Sequence, residues 1–295
     1  MRRVARSLVL AGAMVASLGV YACARRAGAD AGADSDSDSG SDSDSGSDSG
    51  SDSDSDSDSN SASLPPDGPH ELLFAPGRAA YYALPGAGAH GARLLAHVHG
   101  VCGPPFYACG KWLDAGTEVG VVVCPTGNTR CGDPVNGLAS WEAPSWGALV
   151  AEMDRSIEAS VARVAKAHPD AFRRDGAILT GYSRGGFAVS TIAAMHPGRW
   201  PLLLLIEADA TLLAPALRKA GVRAVALVSG EWSEERRGMA KTAAALTRDG
   251  IPSRLFVMPK TGHLYTDDMN AVMREALAFL VGAEGNDAGA PDAGL

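Results

Sequence analysis

Residues 177–195 read AILTGYSRGGFAVSTIAAM. A short apolar run, AILT, leads into Gly181-Tyr182-Ser183-Arg184-Gly185-Gly186, and a helix-compatible stretch follows as far as Pro197, which cannot continue it. Gly-x-Ser-x-Gly fixes only three positions. It gains meaning where it joins a strand to a helix, because the sharp turn pushes the serine outward and small flanking residues relieve the crowding. Both flanks have that character here, so Ser183 reads as a candidate nucleophile. The plain alternative is a glycine turn with no chemistry.

Outward from this turn, short apolar runs recur at 93–98 (RLLAHV), 119–124 (VGVVVC), 202–206 (LLLLI), 223–228 (RAVALV) and 254–258 (RLFVM). They lack strict alternation, as strands buried on both faces should. Helical spacing lies between them. Leu149, Met153, Ile157, Val161 and Val164 recur every three to four residues, and Met239–Asp249 ends at Gly250, a C-terminal glycine. Thr266 is placed to cap a last helix through Val272, Leu277 and Leu280. Repeated β-α-β units predict an α/β fold, a mostly parallel sheet with helices on both faces.

A serine hydroxyl is a poor nucleophile at neutral pH. It needs a base, an acid to orient that base, and donors for the oxyanion. The run RLFVM leads into Pro259-Lys260-Thr261-Gly262-His263, which puts His263 in a loop at the carboxyl end of a strand, where Ser183 should emerge. His70 and His90 precede the core, and His168 and His196 each sit before a proline after a helix, so these read as surface residues. The strand RLLAHV ends in His97-Val98-His99-Gly100, a His-Gly turn similar to an oxyanion-hole turn. Gly100 and Val101 are the candidate backbone donors there, and Arg184, directly after the serine, supplies the other. His99 is expected to brace the loop.

Together the strand–His-Gly turn, the strand–GYSRG–helix elbow and the terminal strand–Gly-His resemble, in that order, the α/β-hydrolase superfamily in its dienelactone-hydrolase or exported-esterase style, over residues 70–282. The resemblance implies an α/β-hydrolase fold, a Ser-acid-His triad and an ester or amide substrate, with no metal or organic cofactor. The position implied for the acid, about three residues beyond Gly230, is Ser233. Glu234 is one residue on with a longer reach and is taken as the acid. Glu231 and Asp209 are the other options, and the plain alternative is that all the glutamates face water at a helix start. Trp112, Trp141 and Trp146 either shape a pocket or cover the sheet edge, so no site role is assigned to them.

The N-terminus reads as a targeting segment. Arg2, Arg3 and Arg6 precede a 13-residue apolar run, residues 8–20. A membrane-spanning helix needs about 20 residues, so this is an export signal. Val20-Tyr21-Ala22-Cys23 resembles a bacterial lipobox, with Cys23 the lipidated residue; cleavage after Ala22 in a freely secreted protein is the alternative. The expected order is therefore a signal peptide at 1–22, an anchored or secreted linker at 23–63, a domain at 64–282 and a polar tail at 283–295. The linker carries a Ser-Asp repeat with ten aspartates between Asp34 and Asn60 and nothing apolar to bury.

The net charge of −8 becomes +2 once those aspartates are set aside, so the domain is near neutral and nothing points to nucleic acid. The membrane enters only through the lipid anchor. Cys102, Cys109, Cys124 and Cys131 are an even set suited to an oxidising compartment and read as two disulfides. Local pairing is the simplest of three connectivities. The C-x6-C spacing is not that of a zinc knuckle.

The leading expectation is an exported serine esterase. A peptidase with the same triad, a non-catalytic surface binding module, and a protein whose tether is its function are the alternatives.

Overall fold

The computed structural model describes residues 69–86 and 90–286. The signal peptide, Cys23, the Ser-Asp linker and residues 287–295 of the tail lie outside the described residues. An eight-stranded sheet forms the centre: β1 (His70–Ala75), β2 (Arg78–Ala83), β3 (Ala92–Val98), β4 (Gly120–Pro125), β7 (Phe172–Tyr182), β8 (Leu202–Ile206), β9 (Ala224–Gly230) and β10 (Ser253–Met258). Its order is β1-β2-β4-β3-β7-β8-β9-β10. The β1–β2 and β2–β4 pairs are antiparallel, and every pair from β4 to β10 is parallel. A separate two-stranded ribbon, β5 (Thr129–Cys131) with β6 (Leu138–Ser140), follows β4.

All five residues of β8 are fully buried, which accounts for its unbroken apolar run. Alternate side chains feed two cores. Leu203 and Leu205 pack with α3 (Trp146–Ala167), α4 (Arg184–Met195), α5 (Ala214–Lys219) and α6 (Arg236–Arg248) on one face. Leu202, Leu204 and Ile206 pack with α1 (Pro105–Gly110), α2 (Leu113–Val119) and α7 (Met269–Asn286) on the other. This is the α/β-hydrolase fold.

Three expectations need correction. The hairpin β1–β2 and the short helices α1, α2 and α5 were not expected, because short edge elements carry little periodicity. Thr266 does not cap the last helix; α7 starts at Met269, and the Thr266 hydroxyl donates to the Pro259 carbonyl at 3.2 Å. The domain does not stop at 282. The last helix runs to Asn286, and Glu284 pairs with Arg93 at 2.7 Å and with Arg223, tying the helix to the starts of β3 and β9.

Candidate active site

Ser183 lies between β7 and α4 with φ +50° and ψ −119°, a region that a non-glycine residue rarely occupies. Such strain costs on the order of 1–3 kcal/mol and persists only where the surroundings enforce it. They do so here. Ser183 N–H donates to the Ile206 carbonyl at 2.8 Å, and its own carbonyl accepts from Phe187 at 3.1 Å. A side chain at Gly185 would collide with the Val98 carbonyl, and one at Gly186 would come within 2.6 Å of the Ala208 methyl. The glycines let the first turn of α4 press against the ends of β3 and β8.

Ser183 Oγ is 2.9 Å from His263 Nε2. His263 follows β10, and the Tyr182 phenol donates to its carbonyl at 2.7 Å. The Glu234 expectation does not hold: Glu234 is exposed and makes no hydrogen bond or ion pair among the described residues. Glu231 accepts from Lys260 N–H at 3.0 Å, and Asp209 packs against Gly238. Instead, His263 Nδ1 faces Glu207 Oε2 at 3.4 Å and Glu235 Oε2 at 3.6 Å.

Glu207 is fully buried at the end of β8 with φ +51°, and its carboxylate accepts from Gly230 N–H and from Ser233 Oγ. Glu235 reaches the site because its N–H turns back onto Ser233 Oγ at 3.3 Å, placing its carboxylate 2.7 Å from that hydroxyl. Both were missed. The usable signal was a glutamate immediately after the run LLLLI, two residues before the Asp209 considered. Hydrogen bonding to Glu207 raises His263 above its ordinary value against the pull of desolvation, and the Glu235 charge adds to the rise.

On the other side of Ser183 stands the turn after β3. A methyl at Gly100 would sit 3.2 Å from Ser183 Cβ and 2.9 Å from the Tyr182 ring, so only backbone fits there. His99 fixes the turn. Its Nδ1–H donates to the Gly100 carbonyl at 2.7 Å, Gly127 N–H donates to its Nε2 at 2.9 Å, and its carbonyl accepts from Trp141 Nε1 at 3.0 Å. Burial holds its pKa down at about 4, so it stays neutral.

Cys102 joins Cys131 and Cys109 joins Cys124, with Cα separations of 5.5 and 6.6 Å. The local pairing is thus corrected: the bridges are nested, because β4 brings the second cysteine pair back alongside the first. One bridge fastens the Gly100–Val101 turn to β5 and the other fastens α1 to β4.

Two concavities flank Ser183. A cleft of about 300 Å³ is lined by Gly100, Val101, Tyr107, Tyr182, His263 and Tyr265, among others. An open shelf is formed by Val101, Trp146, Arg184 and Phe187. Trp146 is 46% exposed on that shelf, whereas Trp112 and Trp141 are core residues. A larger concavity lies at the amino ends of β3 and β7, lined by Arg93, Arg173 and Arg274, away from Ser183 and His263. Glu207, Glu235 and His263 Nδ1 are close enough to share a cation, and the Ser233 hydroxyl already bridges the two carboxylates.

No family model and no curated protein sequence matches the chain. Solved structures do match its fold. A carboxylesterase from Mesorhizobium loti superposes with a TM-score of 0.51 at 21% identity, covering 72% of this chain and 99% of that one. The fluorophosphonate-binding serine hydrolase F of Staphylococcus aureus, substrate bound, gives 0.52 at 12% identity, covering 74% and 99%. An S-formylglutathione hydrolase from Staphylococcus aureus gives 0.51 at 12% identity, covering 72% and 98%.

Proposed function

We propose that this chain is an exported serine hydrolase that cleaves carboxylic esters. The observation that carries the reading is the 2.9 Å contact between Ser183 Oγ, on a strained elbow, and His263 Nε2, with carboxylates behind Nδ1. Neutral His263 takes the Ser183 proton as Oγ attacks the ester carbonyl. Glu207 holds Nδ1–H and offsets the imidazolium charge. The N–H groups of Gly100, Val101 and Arg184 receive the oxyanion. His263 then gives its proton to the leaving alcohol, and water repeats the cycle on the acyl-enzyme. Esterase and serine-hydrolase neighbours of the same fold support the class.

The leaving oxygen must come within hydrogen-bond reach of His263 Nε2. His263 lines the tyrosine-walled cleft and not the shelf. The alcohol therefore occupies the tyrosine-lined cavity, and the acyl chain runs over Val101, Trp146 and Phe187. The two disulfides fit an oxidising compartment and support export; lipid attachment at Cys23 rests on the stretch Val20–Cys23 alone.

Intact mass of the full chain after fluorophosphonate treatment tests the reading. One adduct, absent from Ser183→Ala, is expected. A folded, disulfide-bonded protein that takes no adduct would favour a surface binding module instead.

A further inference from the structure

We propose that Glu207 and Glu235 form one unit behind His263, sharing a single proton through the Ser233 hydroxyl, with Glu235 a positioning residue that can stand in for Glu207. The inference rests on the serine-hydrolase reading above and adds a second acid to it. Ser233 Oγ lies 2.5 Å from Glu207 Oε2 and 2.7 Å from Glu235 Oε2. A hydroxyl has one hydrogen. Whichever carboxylate receives it, the other contact sets lone pair against lone pair at hydrogen-bond distance. A proton on one of the two carboxyl groups turns that contact into a second short hydrogen bond, and like charges this close favour holding one.

Partial burial raises the Glu235 carboxyl; the Ser233 hydroxyl, the residue's own backbone N–H and then His263 outweigh it and bring the group below its ordinary value. The Ser233 hydroxyl and His263 also face Glu207, so each has one hydrogen to divide between the two carboxylates. The two acids come from different places, Glu207 from the end of β8 and Glu235 from the turn before α6, and Ser233 occupies the position between them.

The shared proton has a use. His263 must be neutral to accept the Ser183 proton, and two full negative charges at Nδ1 would keep it protonated. One shared proton leaves a single negative charge, which balances the single positive charge that appears on His263 during attack. Other groups facing the imidazole do not disturb this balance. The Tyr182 ring stands 5.4 Å away, and burial, then Glu207, pushes its phenol far up. Tyr265 beside it is likewise held neutral by burial. Glu231 is occupied by Lys260 N–H.

The test compares pH profiles of kcat/KM for an aryl ester with the full-length wild type, Glu207→Gln, Glu235→Gln and the double variant, after fluorophosphonate labelling has established that Ser183 reacts. Glu207→Gln is expected to keep at least about ten times the activity of the double variant, because Glu235 ionises and accepts Nδ1–H. The acid limb of Glu235→Gln should stay within about half a pH unit of wild type, since Glu207 alone carries the same net charge as the pair. Difference infrared spectra should contain a protonated-carboxyl band in wild type at neutral pH that each single variant loses. Three results would each overturn the proposal: Glu207→Gln as slow as the double variant, a larger downward shift of the limb in Glu235→Gln, or no such band. Should Glu207→Gln not fold, the Glu235→Gln limb and the wild-type band decide. Absence of Ser183 labelling in wild type would overturn the serine-hydrolase reading itself.

Discussion

Ser183 Oγ and His263 Nε2 meet at 2.9 Å although 80 positions of sequence separate them. Six parallel strands end at the same edge of the sheet, and the turns after five of them, β3, β7, β8, β9 and β10, meet around these two residues. Among the described residues five non-glycine positions have positive φ, and Cys102, Ser183, Glu207 and Lys260 lie in these turns. Strain concentrated at one edge is what the proposed active site at that edge requires.

Ser183→Ala should lose at least about 10⁴ in kcat/KM on an aryl ester while keeping its far-UV circular dichroism. Activity within tenfold of wild type would remove Ser183 from the chemistry.

Below the folded pKa of His263 the imidazole carries a proton and cannot accept one from Ser183. Because the carboxylates raise that pKa above 6.5, kcat/KM should fall toward acid with a midpoint above 6.5. The double variant Glu207→Gln/Glu235→Gln should move the midpoint downward. The same raised pKa stabilises the fold below the unfolded value and loses that contribution as pH rises through the folded one, so urea midpoints of wild type and His263→Gln should converge toward alkaline pH.

The Cys102–Cys131 bridge closes a separation of 29 residues and Cys109–Cys124 one of 15, each removing about 3–4 kcal/mol of unfolded-state freedom in the chain-entropy picture. Cys102→Ser/Cys131→Ser should lower the denaturant midpoint. It should also slow fluorophosphonate labelling, because the bridge fastens the Gly100–Val101 turn. Labelling at the wild-type rate would show that the turn holds its shape through His99 and Trp141 alone.

Trp146→Ala and Phe187→Ala each remove apolar surface from the shelf beside Ser183. Each should raise KM for long-chain acyl esters by roughly 5–30-fold, equivalent to about 1–2 kcal/mol of lost burial, with acetyl esters nearly unaffected. An equal effect on both series would mean that the acyl chain lies elsewhere.

Gly185→Ala puts a methyl into the Val98 carbonyl, in backbone that cannot move aside. A loss of more than about 2 kcal/mol in urea unfolding is expected, together with lost activity. A wild-type midpoint would mean that α4 can shift off β3.

The sequence by itself determined the elements that depend on near neighbours. Unbroken apolar runs identify the buried parallel strands, 3.6-residue spacing identifies α3, Pro197 and Gly250 mark the ends of α4 and α6, and small residues around Ser183 identify the elbow. Gly-His after β10 and His-Gly after β3 are also local patterns, and the order of strands then carries them to one edge. Only the tertiary structure decided which carboxylates face His263 and how the cysteines pair. Glu207, Glu234 and Glu235 are chemically alike, and which of them faces His263 depends on how the turn after β9 folds back through Ser233 onto the end of β8. The cysteine spacings fit three pairings equally, and the choice was made when β4 crossed alongside the turn after β3, a contact between distant segments that no periodicity records.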